Sequence, residues 1–256
     1  MQKKLFFFDI DHTLYDNDTK TIFPQTKKLL YQLSQNPNNI LGIATGRSQN
    51  GLRVLEKLKD LFQYFVVLNG AITFKGEEII QQTPIPKDDV LQINQKAITN
   101  GIKIINTMLQ PKSIPFQDDP DSKMFMDAQN MQKIVQNIEY PIYKINLFHD
   151  NPQIVVDFMK EFQQFNTYFW KSGVTSLSAK QVNKAYGIQV IQKNYPEHKL
   201  ICIGDGCNDV EMFQAAHLSI VMANTKYDYL KKIANLVAPD IQNDSLYEFF
   251  QKHNLI

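Results

Sequence analysis

The sequence contains little cysteine: two residues, Cys202 and Cys207, in a chain of 256. Two thiols five positions apart match neither a disulfide framework nor the paired spacing of a zinc ribbon. The five histidines show no ligand spacing either. We therefore expect neither a disulfide-stapled fold nor a structural zinc site. Cys202 lies in an apolar run typical of a core, whereas Cys207 lies in a glycine-rich loop, where it is either a small filler or a reactive thiol.

The sequence also lacks long apolar runs and a large net charge. No run approaches the roughly 20 residues that a membrane-spanning helix needs. The apolar run after Lys3 and Lys4 stops at Asp9, too early for the core of a signal peptide. The formal net charge of +1 provides no overall field for nucleic acid or an anionic membrane. We expect a cytoplasmic protein that binds neither, and no obligate protein partner is evident.

The composition is that of a globular protein with a sizeable core. Hydrophobic residues make up 43% of the chain and charged residues 21%. Strand-like and helix-like segments alternate over roughly the first 80 residues and again near the end, which favours an α/β fold with a parallel sheet. The predicted strands of these parts are Leu5–Phe8, Ile40–Ala44, Phe65–Leu68, Leu200–Ile203, Leu218–Met222 and Leu236–Ala238. A helix is predicted around Leu52, Leu55 and Leu58 because these leucines share one side.

The pattern changes after Pro84 and Pro86. Predicted strands at Ile102–Asn106, Lys123–Met126 and Tyr143–Phe148 mix with helical spacing, including one helix that carries Ile154, Phe158, Phe162 and Phe165. This middle region is typical of an α+β domain. We therefore predict one α/β core, residues 1–82 and 180–256, with an α+β domain inserted at 83–179.

Two aspartates, Asp9 and Asp11, stand at the end of the first predicted strand, in the stretch LFFFDIDHTL. A buried strand that stops on carboxylates needs a reason, because an unpaired buried charge is costly. On its own the pair is equally compatible with an ordinary turn. However, two other predicted strands also end on polar residues, Thr45-Gly46 and Asp205, and the carboxyl ends of parallel strands meet at one sheet edge.

That edge is predicted to hold four carboxylates and one lysine: Asp9, Asp11, Asp205, Asp209 and Lys184. Two carboxylates about 5 Å apart repel by about 3 kcal/mol at an effective dielectric near 20, so the cluster needs a cation. The available ligands are oxygens, which favours a hard ion, and Mg²⁺ fits best.

The remaining residues suit a phosphate group. Thr45 offers a hydroxyl, Gly46 lets a backbone amide approach an anion closely, and Lys184 supplies positive charge. A carboxylate in line with phosphorus can attack it, and a second can donate a proton to the leaving oxygen and later activate water. Asp9 and Asp11 are the candidates for these two tasks.

Four motifs in this order, FFFDIDHTL, GIATGR, VNKAYGI and GDGCND, resemble the signatures of the haloacid dehalogenase-like (HAD) phosphohydrolases. The segment LNGA, Leu68–Ala71, and the late position of the insertion resemble the Cof-type subfamily with a type IIB cap. The resemblance covers essentially the whole chain. It implies a Rossmann-like core, a cap that selects the substrate, and a Mg²⁺-dependent phosphatase.

The resemblance also implies a role for each matching residue. Asp9 would be the nucleophile and a metal ligand, and Asp11 the general acid/base whose backbone carbonyl binds the metal. The other matching positions would bind phosphate (Thr45, Gly46 and Lys184), bind metal (Asp205), or support these groups (Thr13, Asn208 and Asp209). His12 and Ala185 depart from the motifs, since glycine is usual at both positions.

Several alternatives stay open. The leading hypothesis is a phosphatase of a small phosphorylated metabolite, such as a sugar phosphate or phosphorylated cofactor; the others are a sugar phosphomutase and a non-catalytic regulatory module. Arg47 either binds phosphate directly or pairs with a carboxylate on the following helix. In the inserted region, Lys123, Lys144 and Asn146 either contact the substrate or lie on a solvated sheet face.

Overall fold

The computed structural model describes residues 2–109 and 140–256. The chain forms two compact units. The first contains the residues up to Arg47 together with Leu52–Gln81 and Asn183–Ile256, and the second contains Ser48–Gly51 and Gln82–Val182. The predicted insertion of a substrate-selecting cap at 83–179 stays a prediction. Across the described residues, no helix has both the length and the apolar character needed to cross a membrane.

The first unit is built on an eight-stranded sheet, counted over the described residues. Its strands in chain order are Lys4–Phe8 (β1), Asn39–Ala44 (β2), Tyr64–Val67 (β3), Ile72–Lys75 (β4), Glu78–Gln82 (β5), Lys199–Gly204 (β10), Leu218–Met222 (β11) and Leu236–Ala238 (β12). Their spatial order is β12-β11-β10-β1-β2-β3-β4-β5, parallel from β12 to β3 and antiparallel from β3 to β4. The α/β fold with a parallel sheet is confirmed.

Strand β1 lies at the centre of this sheet because its apolar side chains can be buried on both faces. Phe6 and Phe8 lie on one face, with ring centroids 6.2 and 6.4 Å from that of Phe250. Phe7 lies on the other face, and a Cβ atom at Gly42 of the neighbouring strand would collide with its ring. The registers place Phe8 beside both Ile43 and Ile203, which brings the ends of β1, β2 and β10 to one edge.

The helices of the first unit are Pro24–Gln35 (α1), Lys184–Gln192 (α4), Val210–Ala215 (α5), Leu230–Ile233 (α6) and Leu246–Lys252 (α7), as far as the chain is described. The helix predicted around Leu52, Leu55 and Leu58 is a 3-10 segment, Asn50–Leu61, in which a kink at Glu56, with a φ of 48°, separates two short helices. The leucine spacing correctly indicated the buried side, but it does not distinguish the two helix types.

The second unit pairs a four-stranded antiparallel sheet with helices Lys87–Thr99 (α2) and Pro152–Met159 (α3) within its described part. The strands are Lys103–Thr107 (β6), Lys144–Phe148 (β7), Phe165–Phe169 (β8) and Thr175–Ala179 (β9), in the order β6-β7-β9-β8. Ile145, Leu147 and Leu177 belong to the same buried cluster as residues of both helices.

The predicted helix that carries Ile154, Phe158, Phe162 and Phe165 extends further than the observed one. Helix α3 ends at Met159, and Phe165 begins strand β8 instead of continuing the helix. Phe158, Phe162 and Phe165 are nevertheless all buried in one cluster, so their apolar spacing reflected a shared core rather than a shared helix. The predicted strand Lys123–Met126, and with it Lys123, lies outside the described residues.

Candidate active site

The polar residues predicted at the strand ends do lie at the carboxyl edge of the sheet. Asp9 follows β1 and donates its backbone N–H to Ile203 O over 2.8 Å. Thr45 follows β2 and donates its backbone N–H to Val66 O over 2.8 Å. Asp205 follows β10, and its side chain, like those of Asp9 and Thr45, is buried. The parallel pairing of β10, β1 and β2 therefore brings three separate chain segments into one site.

Lys184 joins the carboxylate of Asp9 to that of Asp209. It is the first residue of α4, whose N-cap, Asn183, accepts a hydrogen bond from the backbone N–H of Tyr186. Its Nζ lies 2.8 Å from Asp9 Oδ1 and 2.6 Å from Asp209 Oδ1, and its side chain is fully buried. A buried ammonium is tolerated only when it is paired and hydrogen-bonded, and here two carboxylates provide both.

Burial and the excess of carboxylates over ammonium groups determine the pKa values of Lys184 and Asp9. Burial lowers the pKa of Lys184, but attraction by Asp209 and Asp9 outweighs it, so the pKa lies above its ordinary value. Burial raises the pKa of Asp9 to about 7; Lys184 opposes this rise, and repulsion from Asp209 and Asp11 adds to it. The ion pair with Lys184 therefore compensates only part of the cost of burying the Asp9 carboxylate.

Asp205 and Asp209 form the second half of the cluster. Asp209 Oδ2 accepts the backbone N–H groups of Asp205 and Gly206 over 2.9 and 2.8 Å. The hydroxyl of Thr13 donates to Asp205 Oδ1 over 3.3 Å. Burial, followed by repulsion from Asp9 and Asp209, raises the pKa of Asp205 well above its ordinary value.

These carboxylates fit a divalent cation. One oxygen from each of Asp9, Asp205 and Asp209 lies within 4.8 Å of the others, and all three residues are buried. Three carboxylates and the Lys184 ammonium carry a formal charge of −3 + 1 = −2, which one divalent ion would neutralise. Both oxygens of Asp209 already accept hydrogen bonds, so Asp9 and Asp205 are better placed to bind an ion.

Asp11 lies apart from that carboxylate cluster and is held by Arg47. Arg47 Nη2 donates to Asp11 Oδ1 over 2.6 Å, and Arg47 Nε donates to Asp11 Oδ2 over 3.0 Å. Of the two alternatives for Arg47, pairing with a carboxylate is the one observed, but that carboxylate, Asp11, lies in the loop after β1 and not on the following helix. The parallel pairing of β1 and β2 places the two loops side by side.

Asn69 connects the loop after β2 to the loop after β10, and sequence reasoning did not identify it. Its backbone N–H donates to Thr45 O over 2.9 Å, and its Oδ1 accepts the side-chain amide of Asn208 over 2.8 Å. An added Cβ at Gly46 would lie 3.0 Å from that same Oδ1. Leu68 and Asn69 have positive φ values, which are costly for residues other than glycine and persist only where surrounding contacts enforce them. Gly70 also has a positive φ, which glycine adopts without that cost. The sequence feature that could have identified Asn69 is the LNGA segment, Leu68–Ala71, in which it lies.

The contacts of His12 and the raised pKa of Cys207 favour structural roles for both residues. His12 has a φ of 55°, in the left-handed region where glycine is favoured and histidine is tolerated. Its Nε2 lies 3.2 Å from Asn17 Nδ2, and its carbonyl accepts the side-chain amide of Asn224. Cys207 is half-buried, and burial raises the pKa of its thiol, which disfavours the reactive thiolate.

Comparison with protein families gives a match over most of the chain. The model of a family described as haloacid dehalogenase-like hydrolase matches residues 6–250. Among sequence relatives, the 5-amino-6-(5-phospho-D-ribitylamino)uracil phosphatase YitU of Bacillus subtilis is 24% identical, over 97% of this chain and 97% of its own.

A second relative is longer than this chain. A candidate bifunctional phosphatase/peptidyl-prolyl cis-trans isomerase of Streptococcus pyogenes is 25% identical over 99% of this chain, which spans 54% of that protein's length. Among solved structures, that of the HAD subclass IIB sugar phosphatase BT4131 has a TM-score of 0.82 and 22% identity, covering 99% of this chain and 100% of its own. At that identity the likeness supports the fold.

Proposed function

The chain belongs to the haloacid dehalogenase-like hydrolases, and we propose that it is a Mg²⁺-dependent phosphatase of a small phosphorylated metabolite. The substrate class would be sugar phosphates or phosphorylated cofactors. The observation that carries the proposal is the buried contact between Lys184 and Asp9, beside the carboxylate of Asp205. The similarity to YitU, a 5-amino-6-(5-phospho-D-ribitylamino)uracil phosphatase, and to the sugar phosphatase BT4131 supports the substrate class.

In the first step, an oxygen of the Asp9 carboxylate attacks phosphorus and forms a new P–O bond. The bond from phosphorus to the leaving oxygen breaks, and its electron pair stays on that oxygen. Asp11 donates a proton to the oxygen, so the leaving group departs as an alcohol. The products are an aspartyl-phosphate at Asp9 and an ionised Asp11.

In the second step, Asp11 takes a proton from a water molecule whose oxygen attacks phosphorus. The bond from phosphorus to Asp9 breaks, which releases inorganic phosphate and restores the Asp9 carboxylate and the protonated Asp11. Lys184, held by Asp9 and Asp209, and the Thr45 hydroxyl with the Gly46 amide would balance the charge of the phosphoryl group in both steps.

Asp9 and Asp205, with the backbone carbonyl of Asp11, would hold the Mg²⁺ ion, and Thr13, Asn208 and Asp209 would orient these ligands. When bound, the ion neutralises charge on the carboxylates and on the phosphate oxygens. We also propose that residues 83–179 form the cap that selects the substrate, which favours small metabolites over phosphoproteins.

The test is release of inorganic phosphate from a panel of sugar phosphates and phosphorylated cofactors, with and without Mg²⁺ and without a bisphosphorylated activator. We expect Mg²⁺-dependent release, because a phosphatase needs no activator. An absence of release from every ester would contradict the proposal. Conversion of one sugar phosphate into its isomer without net release of phosphate, and only after a bisphosphorylated sugar is added, would indicate a phosphomutase.

A further inference from the structure

The contact between Arg47 and Asp11 uses two nitrogens and both carboxylate oxygens. Nη2 donates to Oδ1 over 2.6 Å and Nε to Oδ2 over 3.0 Å. Such a fork fixes the plane and the direction of a carboxyl group, whereas a single hydrogen bond leaves it free to rotate.

Arg47 is itself held in place. Its side chain is 8% exposed, and Nη2 lies 3.4 Å from Asn17 Oδ1. The guanidinium carbon lies 5.5 Å from the ring centroid of Tyr15, and the backbone carbonyl accepts the N–H of Leu68 over 2.9 Å. The fork therefore connects Asp11 to a buried guanidinium that Asn17 and Tyr15 also contact.

The choice of arginine is notable in this chain, which contains 25 lysines and only two arginines, Arg47 and Arg53. A lysine ammonium is a compact point charge and cannot form the planar two-nitrogen fork. Arg53 lies exposed on the 3-10 helix Asn50–Leu61 and serves as a matched control.

We infer that Arg47 is a positioning residue that holds the carboxyl group of Asp11 for proton transfer. This inference rests on the proposed function, in which Asp11 protonates the leaving oxygen and later deprotonates water. The inference places the main effect of Arg47 on Asp11, at which the two hydrogen bonds are directed.

Esters with different leaving groups distinguish an effect on proton transfer by Asp11 from an effect on the attack by Asp9. A dinitrophenolate departs without a proton, so the first turnover of dinitrophenyl phosphate needs Asp9 but not a positioned Asp11. An alkyl phosphate needs the proton in that turnover. Hydrolysis of the aspartyl-phosphate needs Asp11 for both substrates.

The experiment is a rapid-mixing measurement of the first and later turnovers of both esters by Arg47→Ala, with Arg53→Ala as the control. For Arg47→Ala we expect a burst of about one dinitrophenolate per active site at the wild-type rate, followed by turnover slowed on the order of 10²-fold. The first turnover of the alkyl phosphate should be slowed on the order of 10²-fold, inhibition by vanadate should be unchanged, and added guanidinium should restore part of the rate. Arg53→Ala should behave as wild type.

An equal slowing of both first turnovers, or a matching loss of vanadate inhibition, would overturn the inference and make Arg47 a ligand of the phosphoryl group. Wild-type rates throughout would also overturn it. If Arg47→Ala does not fold, the same comparison is made with Arg47→Lys, for which we expect the same pattern of rates with smaller fold-changes. A wild-type protein that releases no dinitrophenolate would instead contradict the proposed function.

Discussion

The ammonium of Lys184 lies 2.8 Å from the carboxylate of Asp9, and their side chains are 0% and 8% exposed. The lysine reaches this position as the first residue of α4, and the aspartate as the first residue after β1. Two segments that are 175 positions apart in sequence (184 − 9) thereby form one ion pair at the edge of the sheet. Because burial still raises the pKa of Asp9 to about 7, the free energy of unfolding of the metal-free protein should depend on pH through this residue.

We expect the metal-free protein to lose stability relative to Asp9→Asn as the pH rises. Asp9 has a raised pKa in the folded state, so between about pH 4 and pH 7 the folded protein binds more protons than the unfolded chain. Its free energy of unfolding then falls with pH, by at most about 1.4 kcal/mol per pH unit. Urea unfolding of both proteins in a chelator, from pH 4 to pH 8, measures the difference.

The comparison with Asp9→Asn matters because groups distant from the site also titrate in this range, and their contributions cancel in the difference. The contribution of Asp205 does not cancel, since repulsion from Asp9 raises its pKa; the loss of this repulsion lowers the slope in the variant and therefore enlarges the expected difference. Asparagine keeps the size of the side chain but cannot ionise. A difference between the two proteins that is constant with pH would show that the pKa of Asp9 is not raised.

Metal binding should stabilise the protein through Asp205. Mg²⁺ at 100 times its dissociation constant should add about 2.7 kcal/mol to the free energy of unfolding. Asp205→Asn should lose most of this gain, while Asp228→Asn, whose wild-type side chain is 92% exposed, should keep it. Thermal unfolding with increasing Mg²⁺ measures the gain, and equal stabilisation of both variants would place the ion elsewhere.

Two glycines with positive φ should respond differently to alanine. Gly70 has a φ of 97°, and an added Cβ would collide with the backbone oxygen of Asn183, next to Lys184. Gly76 has a φ of 58°, and among the residues that the structure describes an added Cβ would find no atom within 4 Å. We expect Gly76→Ala to cost about 1 kcal/mol and Gly70→Ala about 3 kcal/mol or more, measured by urea unfolding.

Gly70→Ala should also lower phosphatase activity, since the collision displaces the start of α4. Equal costs for the two substitutions would mean that the chain relaxes around Asn183 and that the LNGA loop is less constrained than its dihedral angles indicate.

The start of α1 should depend on a distant aspartate. Phe23 provides no side-chain cap, and Asp244 instead accepts the backbone N–H groups of Gln25 and Thr26 over 3.0–3.2 Å. Asp244→Gly should cost about 1 kcal/mol, because glycine tolerates the local φ of 44° but leaves the helix uncapped. Asp244→Asn, which keeps an acceptor oxygen, should cost less; equal losses in thermal unfolding would contradict this role.

The sequence was sufficient to predict the residues that meet at the sheet edge. Apolar runs buried on both faces predicted β1, β2 and β10, and parallel pairing then places Asp9, Thr45 and Asp205 together. Lys184 was also predicted, because the motif VNKAYGI resembles the one that carries the phosphate-binding lysine of the family. These expectations rested on periodicity, strand ends and short motifs, which are local properties of the chain.

Other features depend on contacts that no local pattern contains. The partner of Arg47 is set by which loops lie next to each other, so its pairing with Asp11 was not foreseen. The role of Asn69 depends on Asn208, 139 positions away. Phe165 was predicted on a helix because spacing alone does not separate a buried strand residue from a buried helix residue.

The central claim is that Asp9 attacks phosphorus, and an acid-quenched reaction tests it most directly. Wild-type protein mixed with a phosphorylated sugar that it turns over is quenched within one turnover, digested and analysed by mass spectrometry. We predict one phosphoryl group on the peptide that contains Asp9, no such group in Asp9→Asn, and a loss of turnover of at least about 10³-fold in that variant. An Asp9→Asn protein with near-normal turnover, or a phosphoryl group on another residue of the active wild type, would contradict the account.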